Sequence, residues 1–329
     1  MLSILYIIYN RRGGDGMAYV YPQDIFAAIE NGEISPTQAF KSLRELDNIA
    51  DYHNKIDNQQ KRIEEILFEL DHLIGLTEVK RLVREIYAFI EIQRRRAQEK
   101  LNTESLVLHM IFKGNPGTGK TTVARIMGKI FREIGVLQRG HLIEVERADL
   151  VGEYIGHTAQ KTREQLKKAY GGILFIDEAY SLARGGEKDF GKESIDVMVK
   201  TMEDHKDELI LILAGYQKEM DFFLQANPGL RSRFPIHIDF PDYNQQELLR
   251  IAEQICAKRQ YTLPLDTQTL LLKILQQHSS SENFGNARTV RNIIEKAIRH
   301  QAVRLMAKTS ITRQELILLE PGDLKEGKE

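Results

Sequence analysis

A short glycine-rich stretch at residues 114–122 constrains the fold of this 329-residue chain more than any other feature. It reads GNPGTGKTT and fits the pattern G-x-x-x-x-G-K-[ST], with Gly114, Gly119, Lys120 and Thr121 in the fixed places. Glycines let a backbone curl so that several N–H groups point at one anion, and a following helix adds the positive end of its dipole. The stretch therefore predicts a phosphate-binding loop between a buried strand and a helix.

The residues of this loop are expected to share the task of holding a nucleotide. Lys120 is predicted to reach the β- and γ-phosphates, and the hydroxyl of Thr121 is predicted to bind Mg²⁺. The candidate nucleotide-binding residues are Gly114, Asn115, Pro116, Gly117, Thr118, Gly119, Lys120, Thr121 and Thr122.

An acidic pair, Asp177 and Glu178, follows the apolar run at residues 173–176. An acidic side chain at the end of a buried strand, beside a phosphate loop, can hold Mg²⁺ directly or through water. Its neighbour can act as a general base on the attacking water. We therefore predict that Asp177 is a second metal-binding residue and that Glu178, together with Lys120, is catalytic.

Apolar segments alternate with helical patterns from the loop onward. Such segments are typical of strands buried on both faces, and they predict an α/β fold with a parallel five-stranded sheet flanked by helices. The predicted strands are residues 106–112, 142–146, 172–177, 209–214 and 236–240. Ligands of such sheets bind outside the carboxyl ends of the strands, and both Gly114 and Asp177 fall at such ends.

The strand signals stop after Pro241. Helical patterns at residues 244–259, 267–278 and 286–308 then predict a small, all-helical lid domain. Upstream of the sheet, a helical pattern begins at Lys61. The predicted organisation is an N-terminal peripheral segment at 1–58, a nucleotide-binding α/β domain at 59–242, a helical lid at 243–320 and a loose tail at 321–329.

Composition and charge exclude several classes of protein. A net charge of −1 and an isoelectric point near 6.8 argue against nucleic acid as a partner. The single cysteine, Cys256, excludes an intrachain disulfide framework, fits a reducing cytoplasm and is expected to serve packing. The apolar run at residues 2–9 is shorter than the roughly 20 residues that cross a bilayer, and its positive residues follow it, unlike those of a signal peptide. We expect a cytoplasmic protein with no membrane partner, and leave open whether translation starts at Met1 or Met17.

Longer motifs carry a resemblance to a known family. The loop GNPGTGKTT together with ILFIDEAY at residues 173–180 resembles AAA+ ATPases. The segments DLVGEYIGHTA at 149–159 and GNAR at 285–288 are similar to the CbxX/CfqX family, which includes red-type rubisco activases and sporulation proteins. The chain is more similar to the sporulation type. The resemblance implies ATP and Mg²⁺ as cofactors, and ATP hydrolysis that remodels another, unidentified protein.

The family also implies a homo-oligomeric ring, a hexamer, with a central pore. Tyr154, Ile155 and Gly156 match an aromatic–hydrophobic–glycine loop that lines such a pore and grips the substrate protein. The alternative is an aromatic ring packed on its own helix. Residues 185–191 resemble a second pore loop, or a plain surface loop.

Further positions match family residues around the nucleotide. Arg233, and second to it Arg231, match an arginine finger that acts on the γ-phosphate of the neighbouring subunit. Arg288 matches a lid residue that senses the γ-phosphate. Ile74 and Gly75 match residues that lie near the adenine.

One departure from the family and several alternatives stay open. Gly215-Tyr216 stands where many AAA proteins have a polar Thr-Asn pair that senses the γ-phosphate, and whether Tyr216 replaces it is undecided. One alternative function is a nucleotide-switched protein-binding scaffold with little turnover, against which Glu178 argues because a switch needs no positioned base. Another is a DNA-remodelling clamp-loader-like ATPase, which the near-neutral charge disfavours. The motifs decide neither the protein substrate, nor the ring size, nor between sporulation and rubisco activation.

Overall fold

A five-stranded sheet organises the part of the chain that contains the predicted loop. The computed structural model describes residues 21–103, 107–154, 156–184, 190–205, 208–279 and 284–324, without the side chains of 48–56, 228 and 279. The chain divides into two units, Met1–Glu65 and Ile66–Glu329, and the sheet belongs to the second.

The strands of this sheet are β1 Met110–Gly114, β2 Leu142–Val145, β3 Ile173–Ile176, β4 Ile210–Gly215 and β5 Ile236–Phe240. They lie in the order β2-β3-β4-β1-β5, and all neighbours pair in parallel. β3 and β4 are buried along their whole lengths, as continuous apolar strands covered on both faces must be. The predicted α/β class with a parallel five-stranded sheet is confirmed.

Helices precede, flank and follow the sheet in the chain. Their bounds are α1 Pro22–Glu30, α2 Pro36–Asp71, α3 Thr77–Gln98, α4 Lys120–Glu133, α5 Arg147–Leu150, α6 His157–Ala169, α7 Gly191–Asp204, α8 Gln217–Ala226, α9 Pro228–Arg231, α10 Gln245–Lys258, α11 Leu265–Ser279, α12 Asn286–Met306, α13 Arg313–Ile317 and α14 Pro321–Leu324, with a 3₁₀ turn at Ala179–Ala183. Within the described ranges, none of these helices combines the length and the apolar character needed to cross a membrane.

The first strand begins later than predicted. Residues 107–109 lie outside β1, and residues 104–106 lie outside the described part of the chain. The cause is His109, which is buried and whose Nδ1 accepts a hydrogen bond from the backbone N–H of Leu211 at 3.0 Å. The imidazole thus accepts the hydrogen bond that a backbone carbonyl would accept in regular strand pairing. Regular pairing of β1 with β4 therefore starts one residue later, at Met110.

The helix predicted to begin at Lys61 begins at Pro36 instead. Ser35 and Gln38 cap its start reciprocally: the Ser35 N–H donates to Gln38 Oε1 at 2.9 Å, and the Gln38 N–H donates to Ser35 Oγ at 3.3 Å. Proline suits the first helical position, because the N–H that it lacks would have no helical partner there. Since no Gly or Pro lies between Pro36 and Asp71, nothing ends the helix earlier. The predicted domain boundaries stay predictions.

The lid has its own core, built from α10, α11 and α12. Cys256 is buried in this core, and burial raises the pKa of its thiol to about 11, which confirms the predicted packing role. The predicted loose tail is wrong for residues 321–324, which form α14. Arg304 on α12 donates Nε and Nη2 to the two carboxylate oxygens of buried Asp323, each at 2.9 Å, and so fixes α14. Residues 325–329 lie outside the described residues.

His109 makes the stability of the fold depend on pH. Burial lowers its pKa to about 4, whereas a histidine in an unfolded chain titrates near pH 6.5. Between these values the unfolded chain binds a proton that the folded chain does not. The free energy of unfolding is therefore highest above pH 6.5, and it falls by about 3 kcal/mol as the pH falls toward 4.

Urea unfolding followed by circular dichroism measures this loss. His109→Gln is the matched variant, because its amide oxygen can accept the Leu211 N–H and does not titrate. The free energy of unfolding should fall more steeply for the wild type than for His109→Gln below pH 6.5. Parallel curves would show that His109 does not titrate differently in the folded protein.

Candidate functional site

The glycine-rich loop lies where predicted, between β1 and the first residue of α4. Gly114 ends β1 with a φ of 153°, and a Cβ there would fall 2.3 Å from the carbonyl oxygen of Phe240 in β5. Gly119 precedes α4 with a φ of 99°, in the left-handed region that favours glycine. Neither position accepts another residue without strain, so the two glycines determine how the loop folds over the helix N-terminus.

The ammonium group of Lys120 lies inside this loop. Its Nζ donates to the carbonyl oxygens of Gly114 at 2.7 Å and Asn115 at 2.9 Å. Burial lowers the pKa of Lys120, an effect that the carboxylate of Asp177 partly offsets and the guanidinium of Arg288 reinforces. A polyanion bound here would stabilise the charged form, because a nearby opposite charge favours it. The surroundings of Lys120 thus fit phosphate.

The acidic pair lies at the end of β3, as predicted. The N–H of Asp177 donates to the carbonyl oxygen of Val145 in β2 at 2.9 Å, and Asp177 Oδ1 accepts the N–H of Glu178 at 3.0 Å. Glu178 has a φ of 47°, a left-handed conformation that costs free energy in residues other than glycine. This turn keeps the Glu178 side chain exposed at the strand end instead of burying it behind β3.

A cavity of about 420 Å³ joins these parts. Its lining includes most of the loop, both acidic residues, Ile74 from the segment before α3, and Arg288 from the first turn of α12. Small-molecule sites commonly have volumes of roughly 300–1,000 Å³. The structure therefore brings predicted nucleotide-binding residues from three separate parts of the chain to one site of suitable size.

Three of the predicted nucleotide-binding residues make other contacts. The side chain of Asn115 donates to the carboxylate of Asp242, and buried Thr118 donates its hydroxyl to Asn115 O at 2.8 Å. Gly75 lies against the lid, where a Cβ would fall 2.4 Å from Glu247 Oε1. Through these contacts the three residues support the side chains and backbone that line the cavity.

The two predicted Mg²⁺ residues, Thr121 and Asp177, both line the cavity. The Thr121 hydroxyl donates to Glu144 Oε1 at 3.3 Å, and Glu144 Oε2 accepts from Arg125 at 3.2 Å. The described residues contain no group of three or more His, Cys, Asp and Glu side chains that could hold a metal ion. One hydroxyl and one carboxylate fit Mg²⁺, which keeps waters and phosphate oxygens as its other ligands. The metal site stays a prediction.

The two candidate finger arginines lie outside the described lining of the cavity. Arg233 forms an ion pair with Glu203, with Nε 3.2 Å from Oε1, and donates Nη1 to Gly229 O at 2.9 Å. Arg231, at the end of α9, is exposed. Arg233, the first of the two candidates, is thus held by contacts within its own chain, whereas Arg231 is exposed.

The predicted pore loop is described at two of its three residues. Tyr154 is 64% exposed, with its ring 5.5 Å from that of His157, and Gly156 precedes α6 with a φ of 83°. Ile155 lies outside the described residues, as do residues 185–189 of the predicted second loop. The Tyr154 ring thus contacts the first residue of α6 and leaves most of its surface exposed, so the pore loop stays a prediction.

Tyr216 lines the cavity from the end of β4, where the family pattern has a polar residue. Its ring lies 6.0 Å from that of Tyr180, over which the guanidinium of Arg184 lies at 4.6 Å. Gly215 permits this packing, because a Cβ there would fall 2.7 Å from the Tyr180 ring. The phenol of Tyr216 is therefore part of the cavity wall.

Comparison with known proteins accounts for both the sheet and the lid. Residues 110–242 match the family described as ATPase family associated with various cellular activities (AAA), and residues 244–329 match the AAA lid domain. Stage V sporulation protein K of Bacillus subtilis is 56% identical over 265 residues, which cover 80% of this chain and 82% of that protein. The chain belongs to the AAA+ ATPase family.

Other relatives of this AAA+ ATPase agree with that placement. Protein CfxQ of Xanthobacter flavus is 46% identical, covering 81% of this chain and 85% of that protein. A chloroplastic ribulose bisphosphate carboxylase/oxygenase activase of Cyanidioschyzon merolae is 44% identical, covering 81% and 92%. A solved RuvB mutant of Thermotoga maritima, with a TM-score of 0.50 and 18% identity over 78% of this chain and 70% of that chain, shows the fold alone. The predicted family and a nucleotide-binding ATPase domain are confirmed.

The residues that join the AAA+ lid to the loop were not predicted from the sequence. Asp242, Tyr243 and Asn286 all make hydrogen bonds to residues 115–118. A signal was present in the GNAR segment at 285–288, in which only the arginine received a role. Glu144 was missed as well, because nothing in the strand pattern relates it to the loop.

Proposed function

We propose that this AAA+ ATPase forms a homo-oligomeric ring, a hexamer, and uses ATP hydrolysis to remodel another protein. The proposal rests on the different positions of the phosphate-binding residues and the candidate finger arginines. Lys120 and Glu178 line one cavity, whereas Arg231 and Arg233 lie outside its described lining. A neighbouring subunit can supply the finger that the chain does not direct at its own nucleotide, and a ring provides every site with such a neighbour.

The cavity supports hydrolysis through positioned charges. Lys120 binds the β- and γ-phosphates, and Glu178 takes a proton from the attacking water. Thr121 and Asp177 would hold Mg²⁺, which neutralises phosphate charge when bound. Since phosphoryl transfer depends on positioning and electrostatic stabilisation, an arginine from the next subunit accelerates a reaction that the cavity already arranges.

The walls of the cavity are proposed to recognise the rest of the nucleotide. Ile74 and Gly75 would lie near the adenine, and Arg288 would follow the γ-phosphate from the lid. In this assignment Ile74 and Gly75 belong to the proposed nucleotide-binding domain at 59–242, and Arg288 belongs to the proposed lid at 243–320.

The names of the relatives support a protein substrate. One is named a sporulation protein and another a rubisco activase, with 56% and 44% identity to this chain. We assign the chain to the sporulation type because its identity to that relative is higher. Tyr154, Ile155 and Gly156 would contact the substrate protein, since an aromatic ring beside a flexible glycine tolerates many substrate sequences.

Replacing Glu178 tests the chemistry. Glu178→Gln should keep Mg-ATP binding and lower turnover roughly 10²- to 10⁴-fold, because the amide keeps the shape of the side chain and cannot take a proton. Lys120→Ala should weaken binding itself. Glu253→Gln, on the exposed face of α10, is the matched control and should hydrolyse normally.

Phosphate release and equilibrium binding of ATP measure these effects. Near-normal hydrolysis by Glu178→Gln would mean that another residue is the base. If the wild type itself binds ATP, captures a partner and hardly turns over, the protein is a nucleotide-switched scaffold instead.

Replacing Tyr154 tests the pore loop. Tyr154→Ala should leave nucleotide binding, assembly and melting temperature unchanged, because the ring is largely exposed. Glu178→Gln serves as a trap for bound substrate proteins, and we expect the double variant Tyr154→Ala/Glu178→Gln to lose what the trap captures. Tyr154→Phe should retain it. A large drop in melting temperature for Tyr154→Ala would show that the residue belongs to the core.

Mixing subunits tests the ring. Arg231→Ala and Arg233→Ala each leave Lys120 intact, and whichever residue is the finger should lose roughly 10³- to 10⁵-fold in turnover with normal ATP binding. Lys120→Ala has an intact finger, so rings mixed from it and the finger variant should recover activity that neither has alone. Activity per subunit of the wild type should also rise with protein concentration. No recovery in verified mixed rings would contradict a finger supplied by the neighbour.

A further inference from the structure

Asp242 and Tyr243 connect β5 to α10, and they form the joint between sheet and lid. Each contacts the phosphate loop. Tyr243 donates its hydroxyl to Thr118 O at 3.0 Å, and burial raises its pKa to about 12, which keeps the donor protonated. The exposed carboxylate of Asp242 accepts from Asn115 Nδ2 at 2.9 and 3.0 Å. The joint is therefore bonded to the loop at two places.

Asn286, the first residue of α12, adds a connection from the lid. Its Nδ2 donates to Asp242 Oδ1 at 2.7 Å, and its Oδ1 accepts the N–H of Tyr243 at 3.0 Å. Asn286 is fully buried and has a φ of 47°, a left-handed conformation that asparagine tolerates better than most residues. Its amide is held at both ends and cannot rotate without losing a hydrogen bond.

Backbone contacts place the same turn of the lid directly on the loop. A Cβ at Gly117 would fall 2.3 Å from Gly285 O and 2.8 Å from the nitrogen of Arg288. The N–H of Ala287 donates to Gly117 O at 3.3 Å. Gly117 stands at a variable position of the loop motif, so the motif does not require glycine there. The close approach of the lid does.

We infer that Asn115, Asp242 and Asn286 form a lid latch, which holds the first turn of α12 on the phosphate loop and thereby sets how fast bound nucleotide leaves. The inference rests on the proposed nucleotide site. The loop forms one wall of the cavity, and Arg288, two residues after Asn286, forms another. Separating lid from loop opens the cavity, and this separation breaks the hydrogen bond that Asp242 makes to one or the other.

The carboxylate of Asp242 suits this task because it is charged and exposed. A carboxylate accepts from several donors at once, so one side chain connects the amide of the loop to the amide of the lid. Water can replace either donor at an exposed site, so the latch opens without leaving a charge unsolvated. A buried carboxylate would hold the lid shut instead, since an unpaired charge in the interior is very costly.

An exchange of side chains tests the latch. Asn286→Asp places a second carboxylate at a contact that is now 2.7 Å long, so the two like charges repel. The double variant Asp242→Asn/Asn286→Asp pairs an amide donor with a carboxylate acceptor again, with the roles reversed. Asn292→Asp makes the same substitution at an exposed position of the same helix and is the matched control.

The readout is the release of a fluorescent ADP analogue from the full-length protein, chased with unlabelled ADP in a stopped-flow instrument. We expect Asn286→Asp to release the analogue roughly tenfold faster, within the usual range of coupling between sites. The double variant should recover most of the difference, and Asn292→Asp should match the wild type. Circular dichroism confirms that each variant is folded.

Wild-type release by a folded Asn286→Asp would overturn the latch. A double variant that releases as fast as the single variant would do the same, because a general structural defect is not repaired by the exchange. If Asn286→Asp does not fold, Asp242→Ala on the surface decides, because alanine accepts from neither Asn115 nor Asn286: faster release supports the latch, and unchanged release overturns it. Normal binding of the analogue by Lys120→Ala would overturn the proposed nucleotide site, while the release rates still judge the latch.

Discussion

The hydrogen bonds of the half-buried Lys120 ammonium group are the interactions on which the rest of the site depends. A charge removed from water needs partners, and Lys120 has two loop carbonyls and the nearby carboxylate of Asp177. The carbonyls converge because the loop turns sharply at glycines after β1. The strand order then brings the residues that follow β3 and β4 to the same edge of the sheet. Phosphate, metal and water can therefore meet at one place.

The lid makes this place a closable site. Part of the cavity wall belongs to the sheet domain and part, including Arg288, belongs to the lid. Nucleotide affinity and lid position are then one equilibrium, because a ligand that contacts both walls favours the state in which they are close. The connection through Asp242 is exposed and polar, which suits the proposed latch because water can replace either donor when the lid opens.

Arg233 is a candidate for the proposed arginine finger, and within its own chain it already has a partner. In the single chain it pairs with Glu203, whose side chain is 60% exposed. An ion pair this exposed is worth about 1 kcal/mol or less. In the proposed ring, the γ-phosphate of a nucleotide bound to the neighbouring subunit would carry more charge than Glu203 and would compete well for the guanidinium. If the proposed ring forms, the pair with Glu203 would not prevent Arg233 from binding that phosphate.

The sequence by itself determined the loop, the acidic pair and the parallel sheet, because each depends on local backbone geometry or on a short period of apolar residues. It did not predict that α2 begins as early as Pro36, because the surface of this helix is polar. In the structure the helix begins directly after the cap at Ser35. Tertiary structure alone decided that Asn115 binds Asp242, that Asn286 joins them, and that His109 replaces a strand carbonyl. These contacts join residues about 40 to 130 positions apart, as set by the packing of the sheet and lid. No periodicity relates such positions, so only the folded chain brings their donors and acceptors together.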